Sequence, residues 1–297
     1  MAFVPFHWEP KLEVIDKIFK VDKELGRGGF GTVYLAFNKV DNSQVAIKLD
    51  MEFTSANDGA KKEAAIYKAL RGVKGVPTLF GTGVNDRQNY MAMQVLGKDL
   101  AKISNEVKFS VKDVLLVAVK SIAILQGIHE RGVLHHDIKP NNISIGKEDK
   151  DQLYIMDFGI ASTETIDAFK RKSGERILHC GTPDYASLNC HEGKPQGKAD
   201  DLECLGYVFL YLLKGKSPWN KNRSAATFRN VYPEKKLLTT IEMCEGYPHV
   251  FAAYLEYCRN LRSDEEPQYS LLIEMFQAEL KELGYEGDNS FDFNHQH

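Results

Sequence analysis

Apolar and polar residues alternate between about positions 18 and 50, and the alternation breaks only at GRGGFG and VDNSQ. A period of two interrupted by turn residues predicts a three-strand antiparallel meander. Residues 57 to 71 switch to helical spacing. VPTLFGTG and YMAMQVL then return to strand-like runs, so the first third reads as a small sheet carrying one helix. After Gly97 the pattern is mainly helical, with amphipathic or buried segments near 110–131, 198–214, 249–261 and 268–283. That shift marks a boundary, and one short crossing at Gln94 to Gly97 is expected to join two lobes of an α+β protein. The chain carries no internal repeat, low-complexity tract or Pro/Ser-rich linker.

Composition sharpens this outline. A chain of 297 residues, 43% apolar, is long enough to bury one large core or two smaller ones around a cleft. With 38 basic and 41 acidic residues the formal net charge is -3, so no basic surplus points to nucleic acid or to an anionic membrane. The cysteines at 180, 190, 204, 244 and 258 show no metal-ligand spacing and read as reduced thiols. The opening MAFVPFHWEPKLEV lacks a basic stretch followed by an apolar one, so no secretory signal is expected. VLLVAVKSIAILQGIH, interrupted by Lys120, is too short for an ordinary membrane span and suits a core helix. These features imply an intracellular protein, cytoplasmic or nuclear.

Candidate chemistry follows the same order along the chain. Gly26, Gly28 and Gly31 form G-x-G-x-x-G, where backbone amides can approach a polyphosphate without Cβ obstruction. TVYLAF afterwards favours a strand, not the helix a dinucleotide site requires, so the loop caps a hairpin; a plain glycine turn is the bland alternative. Lys48 in VAIK stands inside an apolar strand, where an ammonium needs an anionic partner, although a surface lysine fits the isolated motif as well. On the following helix Glu63 shares a face with Ile66, Tyr67 and Leu70, and Lys48 is its natural counter-ion. Such a pair would hold the lysine toward the α and β phosphates of a nucleotide.

In VLHHDIKPNNISIG, Asp137, Lys139 and Asn142 fall within one loop, and Asp157 follows in YIMDFGIA. Asp137 can accept the proton of an incoming hydroxyl, and Lys139 can neutralise a transferring phosphoryl group. The oxygens of Asn142 and Asp157 suit hard Mg²⁺ ions. Lys48, Glu63, Asp137, Asn142 and Asp157 are therefore expected to converge on one triphosphate.

This set resembles the signature of eukaryotic protein kinases. GTPDYASLNCHEG, ADDLECLGYVFLYLLKGKSPW and CEGYPHVFAAYLEYCRNLRSDEEPQYSLL are similar, more narrowly, to the casein kinase I family, over roughly residues 18 to 285. The resemblance implies a bilobal kinase fold: an extension at 1–17, an N-lobe at 18–96, a C-lobe at 97–285 and a short tail at 286–297. It implies a Ser/Thr protein kinase that uses ATP and Mg²⁺, acts on protein hydroxyls as a monomer, and binds neither nucleic acid nor membrane. Met93 would be the gatekeeper, Gln94, Val95 and Leu96 the hinge, Ala46 and Val33 the roof over adenine, and Ile155 or Met156 its floor. Met93 and Val33 also suit an ordinary core. Thr182 would bridge Asp137 and Lys139, and Asp201 would brace the catalytic loop.

Departures from the family pattern set further expectations. His136 stands where an arginine usually clamps an activation-segment phosphate, and a largely neutral imidazole cannot act as a permanent bidentate cation. A working site that needs no segment phosphorylation is expected, with neutral drift at a tolerant position as the bland reading. Asp184 replaces the arginine of the family's GTxRYAS, so a weak preference for phospho-primed substrates is expected. Lys170, Arg171, Lys172 and Arg176 are possible substitute contacts or simply a solvated loop. The family often carries a long inhibitory tail, and none is expected after GYEGDNSFDFNHQH. Phe3, Phe6 and Trp8 are expected to pack on the small lobe, with docking of a partner as the alternative. A pseudokinase scaffold and a small-molecule phosphotransferase are the competing readings.

Overall fold

A computed structural model describes residues 13–28, 31–50, 59–86, 88–163, 181–219, 226–262 and 264–295. Phe3, Phe6, Trp8, Lys170, Arg171, Lys172, Arg176 and Cys180 lie outside the described residues. The chain forms two compact units, 1–64 with 78–95 and 65–77 with 96–297.

The first unit is an antiparallel sheet of β1 (Val14–Ile15), β2 (Phe19–Gly28), β3 (Gly31–Asn38), β4 (Gln44–Leu49), β5 (Leu79–Asn85) and β6 (Gln88–Met93), in the order β1-β2-β3-β4-β6-β5. The expected meander is β2-β3-β4. Val14–Ile15 adds an edge strand that is too short to announce itself by alternation. Side chains that alternate inward along the strands build the core: Ile15, Ala36, Val45, Ile47, Leu49, Tyr90 and Ala92, with Phe19, Val21 and Tyr34 packed against them. Each fully buried aliphatic side chain of this kind contributes about 1.5–3 kcal/mol. Tyr90 donates its hydroxyl hydrogen to Asp16 at 2.6 Å, giving the ring's polar end a partner. Helix α1 (Gly59–Ala69) follows, with Glu63 on its inward face.

The second unit holds two small sheets and the remaining helices. Strands β7 (Leu96–Asp99), β9 (Ile143–Gly146) and β10 (Leu153–Ile155) pair in the order β10-β9-β7, while β8 (Val133–Leu134) pairs with β11 (Ser162–Thr163). The described helices are α2 (Leu100–Glu106), α3 (Val111–His129), α4 (Leu188–His191), α5 (Lys198–Lys214), α6 (Phe228–Leu237), α7 (Thr240–Met243), α8 (His249–Asn260) and α9 (Tyr269–Glu282). Helix α3 starts at a capping box, in which Ser110 and Asp113 satisfy each other's backbone donors. It packs against α5 and α9, and α5 packs against α8. Phe209, Phe251, Tyr254 and Phe276 form the aromatic centre where α5, α8 and α9 meet.

Lys120, which interrupts the apolar run of α3, donates to the carbonyls of Asp151 at 2.7 Å and Asn289 at 3.0 Å. The segment after α9 is docked: Phe291 and Phe293 are buried, and Asp292 accepts from Lys112 and Ser110. Among the described residues no helix is long and apolar enough to cross a membrane.

Candidate active site

In the first unit, Lys48 and Glu63 are both buried, and the lysine Nζ donates to both carboxylate oxygens, at 2.9 and 2.8 Å. The pairing expected from VAIK and the helix stripe is present. The surface-lysine reading is overturned, because an ammonium at this depth stays charged only against such a partner. Lys48 sits opposite Val33 on β3 and Met91 on β6, while the next inward position, Ala46, pairs with Met93. Val33 and Met93 are half-buried and Ala46 is buried.

The glycine hairpin pairs Gly26 with Val33 and Gly28 with Gly31. A Cβ on Gly26 or Gly28 would meet nothing within 4 Å, whereas one on Gly31 would stand 2.0 Å from the Leu49 carbonyl oxygen. With φ at +143°, Gly31 is therefore demanded by the neighbouring strand itself. The Gln94 amide is taken up by the Thr78 carbonyl at 2.9 Å, which removes it as a donor to any adenine. Leu96 belongs to the second unit, where it pairs with Gly146.

The second unit gathers the loop residues. Asp137 is buried, and its Oδ1 accepts from the Thr182 hydroxyl at 2.9 Å. Its Oδ2 accepts from the Lys139 ammonium at 2.6 Å, and that same Nζ reaches Thr182 Oγ1 at 3.2 Å. Asn142 gives its amide hydrogens to the Asp137 backbone carbonyl at 2.9 Å and to Oδ2 at 3.2 Å, which leaves its side-chain oxygen for another partner. Ile143 pairs with Ile155, and the Met156 amide donates to the Asn142 carbonyl at 2.9 Å. Asn142 and Asp157 thus extend from the same end of the β9–β10 hairpin. Ile155 is fully buried in that hairpin and Met156 is half-buried.

His136 and Asp157 both have left-handed backbones, at φ +66° and +67°. Such conformations are uncommon outside glycine and concentrate where the surroundings impose them. Gly181, at φ +81°, lies close against this loop: a Cβ there would sit 2.6 Å from the His136 carbonyl oxygen. The His136 ring is tied to Ser162 Oγ at 2.7 Å, so the position of the missing arginine has an internal partner on β11.

Asp201, at the start of α5, binds the loop from below. Its oxygens accept the backbone N–H groups of His135 at 2.7 Å and His136 at 2.8 Å, and a third bond joins it to His129 Nε2 at 3.0 Å. Burial alone would raise its pKa. The His129 hydrogen bond, with the attraction of His129 and His136, outweighs that and holds the carboxyl well below the usual range. His129 is held in turn by the Tyr269 hydroxyl at 2.6 Å. Sequence reading found Asp201 and missed His129 and Tyr269, which carry no local motif.

His135 was missed too. Its Nδ1 accepts the Asp137 N–H at 3.2 Å, so Nε2 carries the proton and donates to the Met156 carbonyl at 3.1 Å. That neutral tautomer agrees with complete burial, which pushes the imidazole below its ordinary 6.5 against the opposing charges of Asp201 and Asp137. Below pH 6.5 the unfolded chain therefore binds a proton that the fold refuses, and stability falls as the pH drops through this window. Thermal melts at pH 5, 6 and 7 should show this decline, and it should be shallower in His135→Phe.

Asp184 does not present a simple surface charge. It is half-buried, with one carboxylate oxygen fully buried and without a hydrogen-bond partner. Burial pushes this carboxyl up, opposed by the charge of Lys235, so repulsion of a phosphate is a weaker argument than the absence of the arginine itself.

Asn142 and Asp157 offer hard oxygen donors suited to a divalent ion. Among the described residues no cluster of three or more His, Cys, Asp or Glu forms a complete metal cage. A two-donor set is how proteins hold an ion that shares its coordination with substrate phosphates. These features describe a phosphotransferase. The model for the protein kinase domain matches residues 19–281, and the chain belongs to that family, which implies ATP, a divalent metal and protein substrates.

Proposed function

We propose that this protein is an active Ser/Thr protein kinase of the casein kinase I type, using MgATP, monomeric, and independent of activation-segment phosphorylation. The observation that carries the reading is the Asp137–Lys139–Thr182 triangle, in which a buried carboxylate is oriented from both sides. Asp137 Oδ accepts the proton of a serine or threonine hydroxyl as its oxygen bonds to the γ-phosphorus and the bond to the β-phosphate oxygen breaks, releasing ADP. Lys139 faces the charge that develops on the transferring group. Lys48, oriented by Glu63, serves the α and β phosphates, with Gly26, Gly28 and Gly31 alongside, while Val33, Ala46, Met93, Gln94 and Leu96 receive the adenine. Asn142 and Asp157 would hold Mg²⁺, which would neutralise phosphate charge there.

Independence from phosphorylation is supported by the His136–Ser162 bond, since position 136 already has an internal partner. Transfer of labelled phosphate from ATP to casein by phosphatase-treated protein, beside a MgATP thermal shift, tests the assignment. Transfer is expected. A thermal shift without transfer would replace this reading with a scaffold. In a peptide library, phosphoserine three residues upstream of the target should leave turnover nearly unchanged, because position 184 lacks the arginine; a strong increase would overturn that part.

A further inference from the structure

Helix α6 contains two adjacent lysines with opposite fates. Lys236 is exposed and pairs with Glu192. Lys235 is 0% exposed, and its Nζ donates to the carbonyl oxygens of Ala186 at 2.7 Å, Asp184 at 3.0 Å and Pro183 at 3.2 Å. The rings of Tyr207 and Trp219 close the remaining sides, with centroids 4.3 and 4.5 Å from the nitrogen. An ammonium has three N–H donors, and all three are matched. Burial pushes this lysine down to about 7, while the charges of Glu203 and Asp184 oppose the shift and Arg259 adds to it.

Three carbonyl dipoles turned toward one point repel one another, and a cation at their focus offsets that repulsion. The same segment is a tight turn in which the Tyr185 and Ala186 amides both donate to the Thr182 carbonyl at 3.0 Å. Thr182 in turn donates its hydroxyl to Asp137. A continuous chain of contacts therefore runs from Lys235 through residues 183–186 and Thr182 to the carboxylate that receives the substrate proton.

We propose that Lys235 is a positioning residue for phosphoryl transfer: a buried cation that folds the 183–186 backbone into its working shape and, through Thr182, aims Asp137. This rests on the kinase reading above. Neither Lys235, over the ring of Tyr207, nor Arg259, which donates to the hydroxyl of the same tyrosine, is needed to touch substrate for the effect.

Lys235→Met keeps the length of the side chain and removes the donors. Its kcat on a peptide should fall about tenfold or more, the loss expected when hydrogen bonds from a charged group disappear, with the MgATP thermal shift unchanged. Hydrogen exchange should quicken about tenfold at the amides of Tyr185 and Ala186 while α3 and α9 keep their protection. Wild-type kcat together with wild-type exchange at those two amides would overturn the proposal. So would an acceleration spread evenly over α3 and α9, the mark of a merely structural lysine. Should Lys235→Met yield no folded protein, Lys235→Gln retains two donors on a shorter stem. Exchange intermediate between wild type and full exposure at residues 185 and 186 supports the proposal, and wild-type exchange there overturns it. If the wild-type protein transfers no phosphate, the kinase reading falls, and the exchange measurement still decides the role of Lys235.

Discussion

Asp137→Asn should lower turnover on casein or a peptide by about 10²–10⁴-fold, the range associated with a positioned acid or base, while the MgATP thermal shift persists. The substitution is nearly isosteric, so the loop keeps its shape. What changes is the acceptor inventory. The carboxylate receives Thr182 on one oxygen, and Lys139 with Asn142 on the other. An amide offers one oxygen and one NH₂, so either the threonine hydroxyl or the lysine ammonium then faces a donor. The amide also cannot take up a proton near neutral pH, so the attacking hydroxyl loses its acceptor. Near-wild-type turnover in this variant would refute the role given to Asp137. A thermal shift that vanished with turnover would instead place the residue in nucleotide binding.

Residues whose chemistry conflicts with their surroundings were the ones legible in the chain. Lys48 in an apolar strand and Glu63 on an apolar helix stripe each required a partner, and the two were found paired. The β2–β3–β4 meander was readable because alternation with a period of two leaves a strong trace, and α3, α5, α8 and α9 because their apolar faces are long. Helix α6 escaped: it is mostly polar and has Pro233 inside it, which reads as a break. Lys235 escaped for a related reason, since in EKKLL it is indistinguishable from its exposed neighbour. Its burial is set by Tyr207 on α5 and Trp219 beyond it, contacts made across long sequence separations. His129 and Tyr269 are likewise 140 positions apart and meet only because α9 lies on α3. The buried Phe291 and Phe293 sit in a short polar-looking terminus where no periodicity can develop.

Asp201→Asn is expected to cost about 3 kcal/mol or more of folding stability, comparable to removing one partner of a buried ionic network, and to reduce activity with it. The carboxylate is buried and accepts from two backbone amides as well as the His129 ring. A carboxylate is acceptor-only and can meet all of them, whereas an amide in either orientation turns its NH₂ against at least one N–H. Both backbone donors belong to His135 and His136, so the residues that misalign are those next to Asp137. The adjacent Asp200 supplies the internal comparison. It is equally enclosed, yet burial, reinforced by the charge of Glu203 and only partly offset by Ser187 and Gly197, pushes it up to about 7. A protonated carboxyl and an amide have similar donor and acceptor sets, so Asp200→Asn should cost only about 1 kcal/mol. Chemical denaturation of the two variants beside wild type measures the contrast. A loss of only about 1 kcal/mol in both would mean that the backbone amides of His135 and His136 do not depend on a charged acceptor, whereas a large loss in both would mean that Asp200 too is held as a carboxylate, by Ser187 and Gly197.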